Sequence, residues 1–357
     1  MITMAKNIVI SGDTVTGKTM VAIGIASRLK ANGKSVGYFK PSGTKSFLHS
    51  TAEEDVDEDA ALMKELLGMS EHLSCICPIV RHMSSFDELL KIGTASLLDR
   101  VRKCYSEIAK DKDVVLIEGT KSPWGLLHVQ LTTPVIAKDL DASVICLVNF
   151  TDIMAIDDIL MQTKLFTDQG IEKIGVILTM VPPMLKKTVN DSIRPYLENL
   201  GLSFCGALYE DRELFSPSIE EILRALDGEM ISGSDKVDVL IGQFIVGSMA
   251  PENALKWFRR GKDMAVITGG DRTDICLAAL EADTNLLILT GGLSPEIGTV
   301  TRAQELGVPI MMTSLDTYGT SRIVDDLLGT VTVGNKEKIA VVERIVGEAI
   351  NLECLDL

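Results

Sequence analysis

A short glycine-containing segment near the start of the sequence constrains the possible fold more than any other feature. It reads Gly12-Asp-Thr-Val-Thr-Gly-Lys-Thr19, and it lies between an apolar strand-like run at 7–11 and a helical pattern that starts at Lys18. The spacing G-x-x-x-x-G-K-[ST] between a strand and a helix is the pattern of a phosphate-binding loop, or P-loop. Because such a loop is built at the end of a buried parallel strand, it predicts an α/β fold.

Apolar strand-like runs alternate with helical patterns along the rest of the chain, which is typical of βαβ units and a parallel sheet. The first series of runs ends at 203–208, and a second series starts at Lys236. A length of 357 residues is natural for two domains. We therefore predict a doubly wound parallel-sheet P-loop NTPase domain over residues 1–212, a connecting segment over 213–235, and a smaller α/β domain over 236–357.

The charge balance argues against two classes of partner. The chain carries 35 basic and 50 acidic residues, a formal net charge of −15, so a broad basic surface for nucleic acid or an anionic membrane is not expected. The seven cysteines fall in apolar patterns without the spacing of a disulfide framework and are expected to be reduced. With no secretory signal and no apolar run of about 18 residues, we expect a cytoplasmic protein.

The P-loop pattern assigns roles to the residues within it. Its glycines allow backbone N–H groups to curl around a phosphate, the lysine reaches the outer phosphate oxygens, and the last hydroxyl binds Mg²⁺. The predicted nucleotide-binding residues of this segment are Gly12, Asp13, Thr14, Gly17, Lys18 and Thr19.

Three charged residues outside the P-loop are candidates for the same site. Glu118 follows the buried strand at 114–117 and is the first candidate for a metal ligand, because open α/β sheets place ligands at that edge. Asp59 starts a predicted helix, where its carboxylate either caps backbone N–H groups or binds the metal. Lys40 ends the second strand, where it contacts the γ-phosphate or an acidic substrate, or is an ordinary surface lysine.

Four segments together resemble the dethiobiotin synthetase family. They are the P-loop with the serine before it at 11–19, Tyr-Phe-Lys-Pro at 38–41, Asp-Ala at 59–60 and Ile-Glu-Gly at 117–119. The resemblance extends over about residues 5–210 and implies that the first domain binds ATP and Mg²⁺. It further implies that the metal is held by Thr19, Asp59 and Glu118, and that the catalytic residues are Lys18 and Lys40.

Three positions depart from that family. Val15 stands where the family has an acidic P-loop residue, and Thr-Lys-Ser at 120–122 replaces a small glycine-rich turn. Thr179 occupies the strand end at which the family uses an asparagine to read adenine, so it is the candidate base-binding residue here. Because a bulky cation at Lys121 replaces backbone that a substrate would approach closely, the departures favour nucleotide binding over ligase chemistry.

The second half of the chain contains two similar turns. Ile-Thr-Gly-Gly-Asp-Arg-Thr-Asp at 267–274 and Leu-Thr-Gly-Gly at 289–292 resemble the DRTGG domain, as does the segment 209–214. The order of all these segments is similar to the N-terminal half of long bacterial phosphotransacetylases, without their acetyltransferase domain, so acetyl transfer is not expected.

The two turns also suggest a second ligand site. We predict that each turn joins a strand to a helix, and that free N–H groups there bind a small anionic ligand. The residues assigned to that site are Gly270, Asp271, Arg272, Thr273, Thr290, Gly291 and Gly292. In the alternative interpretation the glycines only make tight turns, and Arg272 pairs with Asp274 or Asp316.

These patterns predict a regulatory or sensing protein that binds MgATP in its first domain and a second ligand or partner in its DRTGG domain. The alternative is an ATP-dependent carbon–nitrogen ligase, dethiobiotin synthetase-like or amidoligase-like, that activates a carboxylate or carbamate by phosphoryl transfer. Slow ATP hydrolysis lies between the two. We also expect a homodimer, with Met249, Trp257 and Phe258 of the second domain available for the interface.

Overall fold

The computed structural model describes residues 5–45, 55–82, 85–328 and 336–355. The chain forms two compact units. The first unit consists of Met1–Asp211 together with Val331–Leu357, and the second consists of Arg212–Thr330. None of the helices within the described ranges is long and apolar enough to cross a membrane.

The first unit is built on a six-stranded parallel sheet. The strands of this sheet are β1 (Lys6–Gly12), β2 (Val36–Phe39), β5 (Val114–Glu118), β6 (Ser143–Asn149), β7 (Ile174–Val181) and β8 (Ser203–Tyr209). Two further strands, β3 (Ser42–Thr44) and β4 (Ile79–Arg81), form a separate parallel pair. The order in the sheet is β2-β5-β1-β6-β7-β8. This sheet confirms the predicted fold class.

The helices of the first unit that precede residue 212 lie between its strands. They are α1 (Lys18–Ala31), α2 (Glu58–Leu67), α3 (Leu73–Ile76), α4 (Ser85–Ile92), α5 (Thr94–Ile108), α6 (Thr133–Asp139), α7 (Ala155–Thr167), α8 (Lys186–Thr188) and α9 (Arg194–Asn199). A π-helical turn at Val189–Ile193 joins α8 to α9, and short 3₁₀ turns lie at Leu127–Val129 and Pro183–Leu185.

The register of the central strands determines where polar side chains meet. Strand β1 lies between β5 and β6, with Ile10 opposite Glu118 and Gly12 opposite Leu147. The interior of β1 and all of β5 are buried, because both strands are covered on two faces. The P-loop and Glu118 therefore emerge side by side at the carboxyl edge of the sheet, which is where parallel sheets bind ligands.

The C-terminal helix belongs to the first unit, which differs from the domain boundaries suggested by the sequence. This helix, α16 (Lys336–Ala349), packs against α1, and the Arg28 guanidinium donates hydrogen bonds to the carbonyl oxygens of Gly347 (3.2 Å) and Ile350 (2.5 Å). The 3₁₀ turn Leu352–Leu355 follows it. Long-range packing on α1 decides this assignment, and the order of segments along the chain does not reveal it.

A disulfide also fastens the C-terminal segment to β8. It joins Cys205 to Cys354, and the Asn351 N–H donates to the Cys205 carbonyl oxygen at 2.7 Å. The expectation that all seven cysteines are reduced is therefore wrong for this pair. The two residues are 149 positions apart in the sequence, so no local spacing indicates their pairing. Five cysteines are free: Cys75, Cys77, Cys104, Cys146 and Cys276.

The second unit has a smaller sheet of five strands in the order β10-β11-β12-β13-β9. They are β9 (Glu229–Ser232), β10 (Gln243–Val246), β11 (Met264–Gly269), β12 (Thr284–Thr290) and β13 (Ile310–Met312). Only β9 is antiparallel to its neighbour. The helices are α10 (Arg212–Phe215), α11 (Ile219–Ala225), α12 (Pro251–Phe258), α13 (Thr273–Leu280), α14 (Ile297–Leu306) and α15 (Thr317–Leu327), with a 3₁₀ turn at Ser234–Lys236.

The segment 213–235, predicted as a connection, is part of this second unit. Ser218 and Glu221 form a capping box that starts α11, and Ile222 on that helix packs in the core of the unit. The strand predicted at 237–245 is shortened for the same reason. The carbonyl oxygens of Val237 and Val239 accept hydrogen bonds from the start of α11, so they do not extend β10.

The residues proposed for a dimer interface differ in exposure. Phe258 is 1% exposed and packs in the core of the second unit, so its proposed availability is wrong. Trp257 and Met249 are 53% and 45% exposed. Consecutive side chains of a helix point about 100° apart, so Phe258 lies on the buried side of α12 while Trp257 lies on its exposed side.

Candidate functional site

The P-loop holds its shape through local hydrogen bonds. The Thr16 hydroxyl donates to the Asp13 carbonyl oxygen at 2.8 Å, and the Thr14 N–H donates to the Asp13 carboxylate at 2.8 Å. Gly17 is the N-cap residue of α1 with a φ of 78°, a left-handed conformation that glycine adopts without steric cost. The first turn of α1 therefore starts without a capping side chain, as an anion-binding helix end requires.

Lys18 folds back across the loop. Its ammonium donates to the carbonyl oxygens of Asp13 (2.8 Å), Gly12 (3.2 Å) and Lys121 (3.5 Å). Burial lowers the pKa of Lys18 to about 8, an effect that the Glu118 carboxylate opposes and the Lys40 ammonium reinforces. Lys18 is thus held by neutral carbonyl oxygens. An anionic phosphate is a stronger hydrogen-bond partner for its ammonium than these carbonyl oxygens are.

Lys40 lies among three carboxylates. Its ammonium is 3.0 Å from Asp57 Oδ1 and 3.3 Å from Glu118 Oε1, and it forms a close ion pair with Asp59. The side chains of Lys40, Asp57 and Glu118 are only 8%, 5% and 2% exposed. Burial alone would lower the pKa of Lys40, but the three carboxylates raise it well above its ordinary value. Lys40 is therefore a buried cation and not a surface lysine.

Glu118 connects this cluster to the P-loop. Its Oε1 accepts a hydrogen bond from the Thr19 hydroxyl at 3.3 Å, and its Oε2 accepts one from the Tyr38 hydroxyl at 2.8 Å. Burial raises the pKa of Glu118 despite the opposing charge of Lys40. The pKa of Asp59 shifts in the opposite direction. Burial would raise it, but the charge of Lys40 and the hydrogen bonds from Lys40 and the Thr19 hydroxyl lower it.

The three residues predicted to hold a metal are brought to one place. Thr19 contacts Glu118, while Glu118 and Asp59 both contact Lys40. A hydroxyl and two carboxylates are hard oxygen donors of the kind that Mg²⁺ prefers. In the part of the chain that the structure describes, no group of three or more His, Cys, Asp or Glu side chains is arranged to hold a metal ion. At this position an ammonium stands among the carboxylates.

Thr179 takes part in a polar chain behind the P-loop. It is fully buried at the end of β7, and its hydroxyl donates to Asn149 Oδ1 at 2.7 Å. The Asn149 amide in turn donates to the Val15 carbonyl oxygen at 3.3 Å. Val15 has a φ of 59°, an uncommon conformation for a β-branched residue. Asn149 and Thr179 thus support the strained turn of the P-loop.

The two glycine turns of the second unit lie beside each other, at the ends of neighbouring strands β11 and β12. A side chain on Gly270 would place its Cβ 1.8 Å from the Leu293 carbonyl oxygen, so only glycine fits there. The predicted free N–H groups are used within the fold. Gly270, Gly291 and Gly292 donate to the carbonyl oxygens of Thr290, Leu315 and Thr313 at 3.4, 2.7 and 2.9 Å.

The helices after these turns also differ. Helix α13 starts at Thr273, close to the first turn, whereas α14 starts only at Ile297, after a longer loop. The prediction that both turns lead directly into helices is therefore wrong for the second turn. Its strand end is tied instead to the neighbouring segment, since the Thr290 hydroxyl is 2.9 Å from that of Thr317 and also donates to the Thr268 carbonyl oxygen.

Arg272 pairs with a neighbour on its own helix end. Its Nε and Nη2 donate to the two Asp274 carboxylate oxygens at 3.0 and 3.1 Å, and its side chain is 39% exposed. This is one form of the alternative interpretation of Arg272. Asp271 lies beside Gly269 in the same turn.

The family of the chain follows from its match to known domains. Residues 6–218, more than half of the chain, match the AAA domain family. The chain belongs to that family. Residues 221–327 match the DRTGG domain. An AAA domain with a P-loop is thus followed by a DRTGG domain, in the order that the sequence motifs predicted.

The curated relatives of this AAA and DRTGG chain include phosphate acetyltransferases. That of Nitratidesulfovibrio vulgaris is 28% identical over 94% of this chain and 49% of its own length, and that of Pseudomonas aeruginosa is 26% identical over 95% and 50%. The chain therefore spans about half the length of these relatives. A cobalt-dependent inorganic pyrophosphatase of Clostridium perfringens is 27% identical over 35% of the chain and 22% of its own length.

Solved structures that a comparison matches to this chain include the MinD cell division protein of Aquifex aeolicus, with 16% identity, a TM-score of 0.38, and coverage of 59% of this chain and 84% of that one. A second is the CBS and DRTGG regulatory region of Clostridium perfringens pyrophosphatase, complexed with the activator diadenosine tetraphosphate. It has 23% identity, a TM-score of 0.30, and coverage of 44% and 76%.

Three residues of the AAA domain site were not predicted from the sequence. Asp57 is the N-cap residue of α2 and also accepts a hydrogen bond from the Thr44 N–H at 2.9 Å. Tyr38 and Asn149 lie in or at the end of apolar strands. An N-capping pattern before α2 and polar residues in buried strands are signals that could have indicated all three.

Proposed function

We propose that the AAA domain binds ATP or ADP with Mg²⁺, and that the chain acts as a nucleotide-dependent regulatory or sensing protein. One observation carries this proposal: the P-loop residues Lys18 and Thr19 lie directly beside Glu118 on the neighbouring strand. A flexible cation, a hydroxyl and a carboxylate at one helix N-terminus form a set suited to a phosphate chain with a divalent metal.

The residues of this chain divide the work of binding. The backbone N–H groups of the P-loop surround the phosphates, and Lys18 exchanges its carbonyl partners for phosphate oxygens. Thr19, Asp59 and Glu118 would hold Mg²⁺, since their oxygens already lie within one cluster. Asn149 and Thr179 position the P-loop turn at Val15. When bound, MgATP supplies a transferable phosphoryl group.

The regulatory role is favoured over catalysis by the segment at 120–122. Lys121, whose carbonyl oxygen lies 3.5 Å from the Lys18 ammonium, stands where a ligase substrate would approach a small glycine-rich backbone closely. One observation supports the ligase alternative. The Lys40 ammonium lies close enough to Lys18 to contribute to the lowering of the Lys18 pKa. The same cation could therefore reach a phosphate bound at the P-loop.

Turnover separates the two candidates. We expect the full chain to release phosphate from MgATP slowly, at well under about 1 per second, whichever carboxylate, carbamate or diamine is added. A continuous phosphate-release assay with a panel of such acceptors measures this rate. An acceptor that raises the rate to about 1 per second or more, with Lys40→Ala abolishing the increase, would establish the ligase and reject the regulatory role.

The pKa of Lys18 predicts how nucleotide affinity depends on pH. Because the pKa of Lys18 is lowered to about 8, the free protein has a charged Lys18 below pH 8 and a neutral one at higher pH, whereas a bound phosphate favours the charged form. Affinity for MgADP should therefore fall by about fivefold from pH 8 to pH 9, with uptake of a proton on binding. Titration calorimetry in buffers of different ionisation enthalpy measures that proton.

The matched variant for this prediction is Lys18→Arg, whose guanidinium stays charged over the whole range. It should show no proton uptake between pH 7 and pH 9, even if its affinity is lower. Equal proton uptake in Lys18→Arg and wild type would assign the titration to another group.

We also propose that the DRTGG domain binds a small anionic ligand at its paired turns. Because the glycine N–H groups of the turns are used within the fold, the proposal is carried by Arg272, whose Asp274 partner is 48% exposed and can be replaced by a ligand anion. Titrating nucleotides, phosphate and acyl phosphates into the full chain tests the site, with Lys18→Ala compared to Lys18→Ala plus Arg272→Ala so that the P-loop does not contribute. Binding to Lys18→Ala that the added Arg272→Ala does not weaken would exclude the turn at Arg272.

Self-association is the last part of the proposal. The exposed Trp257 and Met249 of the DRTGG domain favour a two-fold dimer. Light scattering at tens of micromolar protein should give a dimer mass, and Trp257→Lys should shift it toward the monomer. A monomer mass for wild type would contradict the dimer.

A further inference from the structure

The carboxylate cluster of the first unit already contains a cation. Lys40 contributes one formal positive charge to Asp57, Asp59 and Glu118, which leaves the cluster with an excess of negative charge. Such a buried group of carboxylates has a strong affinity for cations. The Lys40 ammonium occupies the position of that cation and belongs to the same chain.

Lys40 and a metal ion would compete for the same oxygen atoms. Glu118 Oε1 accepts a hydrogen bond from the Thr19 hydroxyl and is also 3.3 Å from the Lys40 ammonium. Asp59 forms a close ion pair with the same ammonium. Mg²⁺ approaches its oxygen ligands to about 2.1 Å and tolerates little distortion. An ammonium paired with the same carboxylates would repel that ion at short range.

We propose that Lys40 acts as an internal cation that occupies the carboxylate cluster until nucleotide binds, so that Mg²⁺ enters the site only together with nucleotide. The inference rests on the proposed function for its nucleotide step. A phosphate bound at the P-loop offers Lys40 a new anionic partner nearby, because Glu118 Oε1 lies 3.3 Å from both the Lys40 ammonium and the Thr19 hydroxyl of the P-loop. Movement of Lys40 to that phosphate frees Asp59 and Glu118 for the metal.

A metal-binding measurement tests the proposal without any assay of activity. Mn²⁺ serves as the probe, because it takes oxygen ligands as Mg²⁺ does and its free concentration is read directly by electron paramagnetic resonance. We expect wild-type full chain to bind Mn²⁺ at least about tenfold more weakly without nucleotide than with ADP. We expect Lys40→Met to bind Mn²⁺ at least about tenfold more tightly than wild type when no nucleotide is present.

Two further variants make the test specific. Lys45→Met removes a half-exposed lysine paired with Asp55 and should leave Mn²⁺ binding unchanged. Adding Glu118→Gln to Lys40→Met should abolish the gain, because it removes a proposed ligand. If Lys40→Met does not fold, Lys40→Met with Asp57→Asn is used instead, since that pair reduces the uncompensated charge while both proposed ligands remain.

The outcomes distinguish this proposal from the nucleotide proposal. If ADP binds but Mn²⁺ affinity is the same with and without it, Lys40 does not control metal entry and the inference is rejected. It is also rejected if neither Lys40 variant gains affinity for Mn²⁺. If no nucleotide binds at all, the proposed function fails, whereas a gain in Lys40→Met would still show that Lys40 competes with a metal.

Discussion

Lys40→Met is expected to lower the free energy of unfolding of the first unit by about 3–5 kcal/mol in metal-free buffer, because removing one partner of a buried ion pair leaves its carboxylates uncompensated. Asp57 and Glu118 are nearly inaccessible to water, so solvent cannot replace the ammonium. The variant should also be stabilised by millimolar Mg²⁺, which binds the folded state selectively. Wild type without nucleotide should respond little to the same Mg²⁺.

Urea unfolding can follow each unit separately, because the chain has two tryptophans and each unit contains one. Trp124 reports on the first unit once Trp257 is changed to Phe in every sample. The matched control is Lys45→Met, whose half-exposed ion pair should contribute less than about 1 kcal/mol. A loss of less than about 1 kcal/mol in Lys40→Met would show that Lys40 does not compensate the cluster.

Cys354→Ser should destabilise the first unit by about 2–5 kcal/mol under oxidising conditions. The bond closes a loop across a sequence separation of 149 residues, so its loss returns much chain entropy to the unfolded state. It also releases the turn that directly follows α16, the helix that packs on the P-loop helix α1. Thermal unfolding of wild type, with and without a dithiol reductant, should reproduce the difference between wild type and Cys354→Ser.

The control for the disulfide is Cys104→Ser, which removes a free and partly exposed cysteine. Its unfolding should match that of wild type, and a reductant should destabilise it equally. A wild-type protein that is unaffected by reductant and contains seven free thiols on titration would show that Cys205 and Cys354 are not joined.

How well the sequence predicts the structure depends on how local each feature is. The P-loop was predicted because all its residues are adjacent and a strand and a helix frame them. Glu118 was also predicted, because parallel strands place their carboxyl ends at one edge. Asp57 and Tyr38 were missed because the capping pattern and the buried strand that contain them do not show their contacts with Lys40 and Glu118.

The C-terminal helix and the glycine turns show the same limit on larger scales. Helix α16 follows the second unit in the sequence but packs on α1, so chain order gave the wrong domain. The turn at Gly291 was predicted to leave its N–H groups free, yet the segment after β13 supplies acceptors for them. In both places a partner distant in sequence decides the structure.

Titration calorimetry of the full chain with ADP and ATP in the presence of Mg²⁺ tests the central claim most directly. The account predicts a saturable site that Lys18→Ala weakens by about a hundredfold or more and that Arg272→Ala leaves intact. Circular dichroism must show that both variants are folded. Absence of saturable binding by wild type for any purine nucleotide at millimolar concentration, or equal affinities for wild type and Lys18→Ala, would contradict nucleotide binding at the P-loop.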